Sequence, residues 1–185
     1  MEPAVSLRSL RDRPFELLQE LERRAKAAAL GAQSGASQQW IGVAFRMGGE
    51  TFLVARDEAR EIMGLPANIT RVPGARGWIR GLANVRGQLL PIIDLKRYLG
   101  SGETQDGRNA RVIVVNHREV PAGLVVDEVL GFRRFNEQEF HREPPPTLIR
   151  CESYLAGSFR RGSEGWPVFS LRKLVESPAF LQGSN

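Results

Sequence analysis

From Trp40 onward the apolar residues fall into runs of four to eight positions broken by glycine, and few folds accept that pattern. Runs this short have the length of strands; helices need about ten residues or more to build a useful apolar stripe. Trp40-Ile41-Gly42-Val43-Ala44-Phe45-Arg46-Met47, then Gly48-Gly49, then Thr51-Phe52-Leu53-Val54 predicts a hairpin, because paired glycines reach the positive φ of tight two-residue turns. Further strands are expected at Gly87–Ile93, Ala110–Asn116, Gly123–Val126, Val129–Phe135, Leu155–Phe159 and Trp166–Phe169. Short helices are expected at Arg56–Met63, Leu95–Leu99 and Leu171–Glu176, and Pro144-Pro145-Pro146 marks a loop, since proline cannot donate to a central ladder. Many short strands with few helices imply a mainly β fold, a small barrel or pair of barrels, rather than strands and helices alternating around a parallel sheet.

Upstream of Trp40 the period differs. Leu18, Leu21, Ala25 and Ala28 recur at three- and four-residue spacing, with Leu17 widening the stripe, so residues 13–30 are expected to form an amphipathic helix. Asp12 and Pro14 suit its start and Gly31 its end. Such a helix either packs back on the β body or offers its face to a partner helix. Residues 31–39 are small and polar, as in a flexible linker. The expected organisation is therefore a helical tail and linker over 1–39, a folded domain over 40–178, and a short tail over 179–185.

Composition narrows the function. Of 185 residues, 42% are hydrophobic and 25% charged, within the globular range. Apolar runs such as Leu89-Leu90-Pro91-Ile92-Ile93 are far shorter than a membrane span, and the N-terminus carries no secretory signal, so a cytoplasmic protein without direct membrane insertion is expected. Cys151 is the sole cysteine, and the two histidines, His117 and His141, lack neighbours at metal-ligand spacing. No nucleophile elbow, phosphate loop or dinucleotide fingerprint is present, so neither an enzyme nor a cofactor is expected. The net charge of +5 raises a rival reading, a basic barrel for single-stranded nucleic acid. Against it, the basic residues are interspersed with acids, and Trp40, Trp78 and Trp166 lie far apart in largely apolar settings, so no nucleic-acid partner is expected.

One continuous segment, Gly77 to Leu95, carries more information than any other. Gly81 and Gly87 permit backbone conformations that other residues resist, and Gly87 launches an apolar strand with Asn84 and Arg86 at its entrance. Pro91 places that strand at an edge or bulge, and Asp94 can cap the helix that follows. The string Gly81-x-x-Asn84-Val85-Arg86-Gly87-x-x-x-Pro91-x-x-Asp94-Leu95 resembles the signature of CheW-like domains. Arg60-Glu61-Ile62, Arg71-Val72-Pro73-Gly74, Val125-Val126-Asp127-Glu128-Val129, Tyr154-Leu155-x-Gly157 and Leu171-x-Lys173-Leu174 extend the resemblance over roughly residues 40–176.

The resemblance implies two intertwined five-stranded β-barrels sharing an apolar interior, and a scaffold that couples the cytoplasmic tip of a chemoreceptor to the regulatory domain of a CheA-type histidine kinase. It implies a position at the inner membrane through those receptor complexes. Ala59, Glu61, Ile62, Arg80, Arg86 and Gly87 are the partner-binding residues it points to; Gly81, Pro91, Asp94 and Asp127 read as structural turns and caps. The leader Arg13-Pro14-Phe15-Glu16-Leu17-Leu18 resembles that of the family's PilI-type members, which serve systems controlling type IV pili and twitching motility. Two positions depart from the family pattern. Ser170 stands where Asp or Asn usually precedes the last helix, and Ala59 replaces a larger apolar residue.

Overall fold

A computed structural model describes residues 39–184; the helix and linker expected upstream lie outside the described residues. The two-glycine hairpin forms where expected: β1 (Gln39–Met47) and β2 (Glu50–Ala55) pair antiparallel, with Gly48 and Gly49 at φ 61° and 90°. The chain continues through β3 (Ala59–Gly64), β4 (Ile79–Val85), β5 (Gln88–Asp94), α1 (Leu95–Tyr98), β6 (Arg111–Val115), β7 (Gly123–Val126) and β8 (Glu128–Asn136). It then forms β9 (Phe140–His141), β10 (Leu155–Arg161), β11 (Glu164–Phe169), α2 (Leu171–Val175) and α3 (Pro178–Leu181). Two sheets result, one ordered β8-β1-β2-β11-β10-β9 and one ordered β3-β6-β7-β5-β4. The sixth strand of the first sheet, β9, has only two residues.

Three apolar clusters explain why several strands are buried along both faces. Ala44, Leu53, Phe135, Phe159 and Val168 fill the concavity of the six-stranded sheet. Phe135 stacks on Phe159 at 4.7 Å, and Arg161 donates to the Arg134 carbonyl at 3.0 Å, so β8 curls round to meet β10. Ala83, Val85, Leu90, Ile92, Val112, Val114 and Val125 fill the five-stranded sheet. Between them lies a larger interior built from both sheets, with Phe45, Phe52, Ile113, Leu124, Phe169 and Leu171 at its centre. Each of these large side chains contributes about 1.5–3 kcal/mol on burial.

Two hairpin units, one in each sheet, are built alike. In β4–β5–α1 and in β10–β11–α2, a glycine two residues into the first strand (Gly81, Gly157) sits at a shift of register. A proline follows ten positions later (Pro91, Pro167), and a helix cap thirteen positions after the glycine (Asp94, Ser170). Neither glycine tolerates a side chain: a Cβ on Gly81 would lie 2.2 Å from the Thr70 oxygen, and one on Gly157 2.5 Å from the His141 oxygen.

One expected helix is not there. Arg56–Glu58 forms a single 3-10 turn, and Ala59–Gly64 is a strand paired with β6. Ala-Arg-Glu-Ile-Met favours a helix locally, but β6 supplies a ladder for its backbone and the shared interior takes Ile62, so tertiary pairing overrides propensity. Residues 79–85, given no element of their own by the local pattern, form β4. The packed chain runs past residue 178: Phe180 on α3 is buried and stacks on Trp78 at 5.7 Å.

Candidate partner-binding site

Val85 pairs with Gln88, leaving Arg86 and Gly87 as a two-residue turn. Both take positive φ, 51° and 83°, as a type I′ turn requires, and the Asn84 side-chain oxygen fixes it by accepting from the Gly87 N–H at 2.9 Å. Among the described residues Arg86 is the only non-glycine at positive φ. Holding an arginine there costs on the order of 1 kcal/mol or more. Its side chain is 79% exposed and reaches Glu61 Oε1 at 2.8 Å. An exposed ion pair returns less than about 1 kcal/mol, so folding alone gives little reason for arginine at this position.

Glu61 arrives from β3, an edge strand of the five-stranded sheet. The β3–β6 register shifts between Ala59 and Glu61, making Arg60 an extra residue, and such a bulge re-aims the side chains that follow it. Ala59 and Ile62 lean on the shared interior instead, which leaves Glu61 and Arg86 as the polar face. On the strand that leaves this turn, Leu89 is 69% exposed and lines an open groove of about 390 Å³ with Arg60, Asn116, His117 and Arg118. Sequence reasoning missed Leu89, because in the run Leu89-Leu90 both residues are equally apolar and only the strand's facing sends one inward.

Arg80 points elsewhere. Its guanidinium, 14% exposed, donates to Asp94 Oδ2 from Nη2 at 2.7 Å and from Nε at 3.2 Å, and also to Asp106 and the Thr104 carbonyl. Burial alone would depress its pKa; hydrogen bonds and charge from Asp94 and Asp106 outweigh burial and raise it. Arg80 is thus an internal counter-ion and not part of the exposed face.

Asp94 is fully buried and caps α1 by accepting from the Arg97 N–H at 3.1 Å, and it also accepts from the Thr104 N–H and hydroxyl. Asp127 accepts from the Gly48 N–H at 2.7 Å and from Lys96, which fastens the first hairpin turn to α1. Pro91 lies opposite Leu82 in β5, an interior strand, but just before the parallel ladder to β7 begins at Ile92, so its missing N–H falls where that side is still open.

A second exposed apolar residue stands on a held loop. After the three prolines, the Glu50 carboxylate accepts from the Leu148 N–H at 2.9 Å and the Ile149 N–H at 3.1 Å, while the Leu148 side chain is 86% exposed. Burial pushes the Cys151 thiol up to about 11, and His117 Nδ1 is occupied by the N–H groups of Glu119 and Val120. Among the described residues no cluster of three or more His, Cys, Asp or Glu could hold a metal.

The CheW-like domain family matches residues 42–179. The chain belongs to that family. It is 41% identical to Protein PilI of Pseudomonas aeruginosa, covering 91% of this chain and 94% of that one. Protein FrzA of Myxococcus xanthus is 34% identical over 64% of this chain and 71% of its own length. Among solved structures, the scaffolding protein TtCheW from Thermoanaerobacter tengcongensis superposes with a TM-score of 0.67 at 26% identity, covering 77% of this chain and 96% of that chain. Membership accounts for the two curled sheets around a shared interior. No helix among the described residues is long and apolar enough to cross a membrane.

Proposed function

We propose that this protein is a non-enzymatic chemotaxis-type adaptor that couples a chemoreceptor's cytoplasmic tip to the regulatory domain of a CheA-type histidine kinase, in the control of twitching motility by type IV pili. It works in the cytoplasm, held at the inner membrane through receptor complexes. The single observation that carries this reading is Arg86: an arginine kept in a left-handed turn position, largely exposed and paired with Glu61. Strain of this sort gathers where a side chain must be presented to something else. Arginine is also the cation best suited to an interface, since its planar fork makes several bonds at once.

An adaptor needs two faces, and exposed Leu89 on the strand that leaves the Arg86 turn and exposed Leu148 on its clamped loop offer an apolar anchor for each. Signalling then consists of a shift in which complexes are populated, with no bond made or broken in this chain. The nucleic-acid reading loses ground on its own requirement. Trp40 packs on Phe159 at 4.5 Å, Trp78 on Phe180 and Trp166 against Phe135, so all three indoles are engaged by other rings and offer no free stacking platform.

Co-purification of a CheA-type kinase and a receptor fragment with the wild type and with Arg86→Glu tests the reading. Wild type should retain both partners, and the variant should lose at least one by about thirtyfold, the scale of one interfacial hot spot. Failure of the wild type to retain either partner overturns the adaptor role; equal retention by both forms removes Arg86 from the site.

A further inference from the structure

The helix that closes each hairpin unit has a carboxylate at its first turn, and the two units obtain it differently. Asp94 supplies its own for α1. For α2 the cap is Ser170, whose hydroxyl accepts from the Lys173 N–H at 3.3 Å. The carboxylate there comes from Glu58: Oε2 accepts from the Leu171 N–H at 2.5 Å and the Arg172 N–H at 3.4 Å, and Oε1 accepts from the Ser170 hydroxyl at 3.0 Å. Glu58 is the residue just before β3, three positions ahead of Glu61. Its backbone is held as well, since Asn116 donates from its N–H to the Glu58 carbonyl and from its side chain to the Asp57 carbonyl.

We infer that Glu58 is a positioning residue: by bonding the first turn of α2 it sets where the edge strand β3 begins, and thereby fixes the Glu61 carboxylate that meets Arg86. The cap of the second unit and the partner face of the first are one connected device. Had Ser170 been an aspartate, α2 would be capped without any tie to β3. The partner-binding part of this inference rests on the adaptor role proposed above; the geometric part does not.

Full-length wild type, Glu58→Ala, and Glu58→Ala combined with Ser170→Asp separate positioning from stability. The double variant gives α2 a carboxylate of its own but leaves β3 untied. By hydrogen exchange, amides of 171–175 should return to wild-type protection in the double variant, while those of 59–63 stay about tenfold faster, the scale of a lost cap-type bond. Affinity for an immobilised CheA-type regulatory domain should stay about fivefold or more below wild type in the double variant despite its restored melting temperature. Wild-type exchange at 59–63 in the double variant overturns the inference, as does full recovery of affinity together with stability. No binding by the wild type defeats the adaptor reading and the partner half of this inference, and exchange alone then decides the tether.

Discussion

The hairpin units β4–β5–α1 and β10–β11–α2 share a bulge glycine, a proline, a cap and a leucine after it, yet only the first carries an exposed arginine in its turn. In the second, Gly162 takes the positive φ, and Arg161 stays in the strand, where it bonds Glu139 at 2.8 Å and lies over the Phe135 ring. The same scaffold thus holds one arginine for closure of its own barrel and aims the other outward from a strained position. Common features are what the fold requires; the divergent turn is where a partner-facing role has room to enter. The caps differ in a parallel way, since Asp94 is enclosed in a buried network with Arg80 while Ser170 borrows Glu58.

Breaking the shared part should have the largest effect, equal in both units. Gly81→Ala and Gly157→Ala each drive a Cβ into backbone oxygen at a φ near +150°, so each should lower unfolding free energy by about 4 kcal/mol or more, read as urea midpoints. A large loss in one and none in the other would dissolve the equivalence. The caps should then separate the units. Asp94→Ala takes from Arg80 its buried counter-ion, leaves only the exposed Asp106 carboxylate, and should cost about 3 kcal/mol, whereas Ser170→Ala keeps the Glu58 bonds to Leu171 and should cost about 1 kcal/mol. Melting curves for the pair check that order.

The smallest effect is also the most pointed. Arg86→Asn installs Asn-Gly, the preferred pair for a type I′ turn, and should raise stability by about 0.5 kcal/mol while weakening retention of kinase or receptor. A variant that gains stability and binds as well as wild type would show that the strain serves no partner.

Several residues were legible because their reasons are local. Gly48-Gly49, Gly87 and Asp94 each answer to turn or cap chemistry within four residues, and the strands from β5 onward, the two-residue β9 excepted, follow runs visible along the chain. The family signature rests on the same positions. Others were hidden. The resemblance groups Arg80 with the partner-binding residues, but Asp94, Thr104 and Asp106 close round it, and nothing near Glu58 in the chain singles it out, because its carboxylate's partners lie more than a hundred positions away. β3 looked helical because nothing within it records that β6 will pair with it.

By itself the sequence determined that this protein would be built of short strands with glycine turns, where the turns and caps would fall, and which signature it would carry. Only the tertiary structure decided which strand borders which, that Arg80 turns inward while Arg86 and Leu89 face out, and that one helix is capped from across the fold. The physical reason is range. Dihedral preference and capping act within one turn of chain, whereas burial and ion pairing depend on which distant segments fill the remaining space.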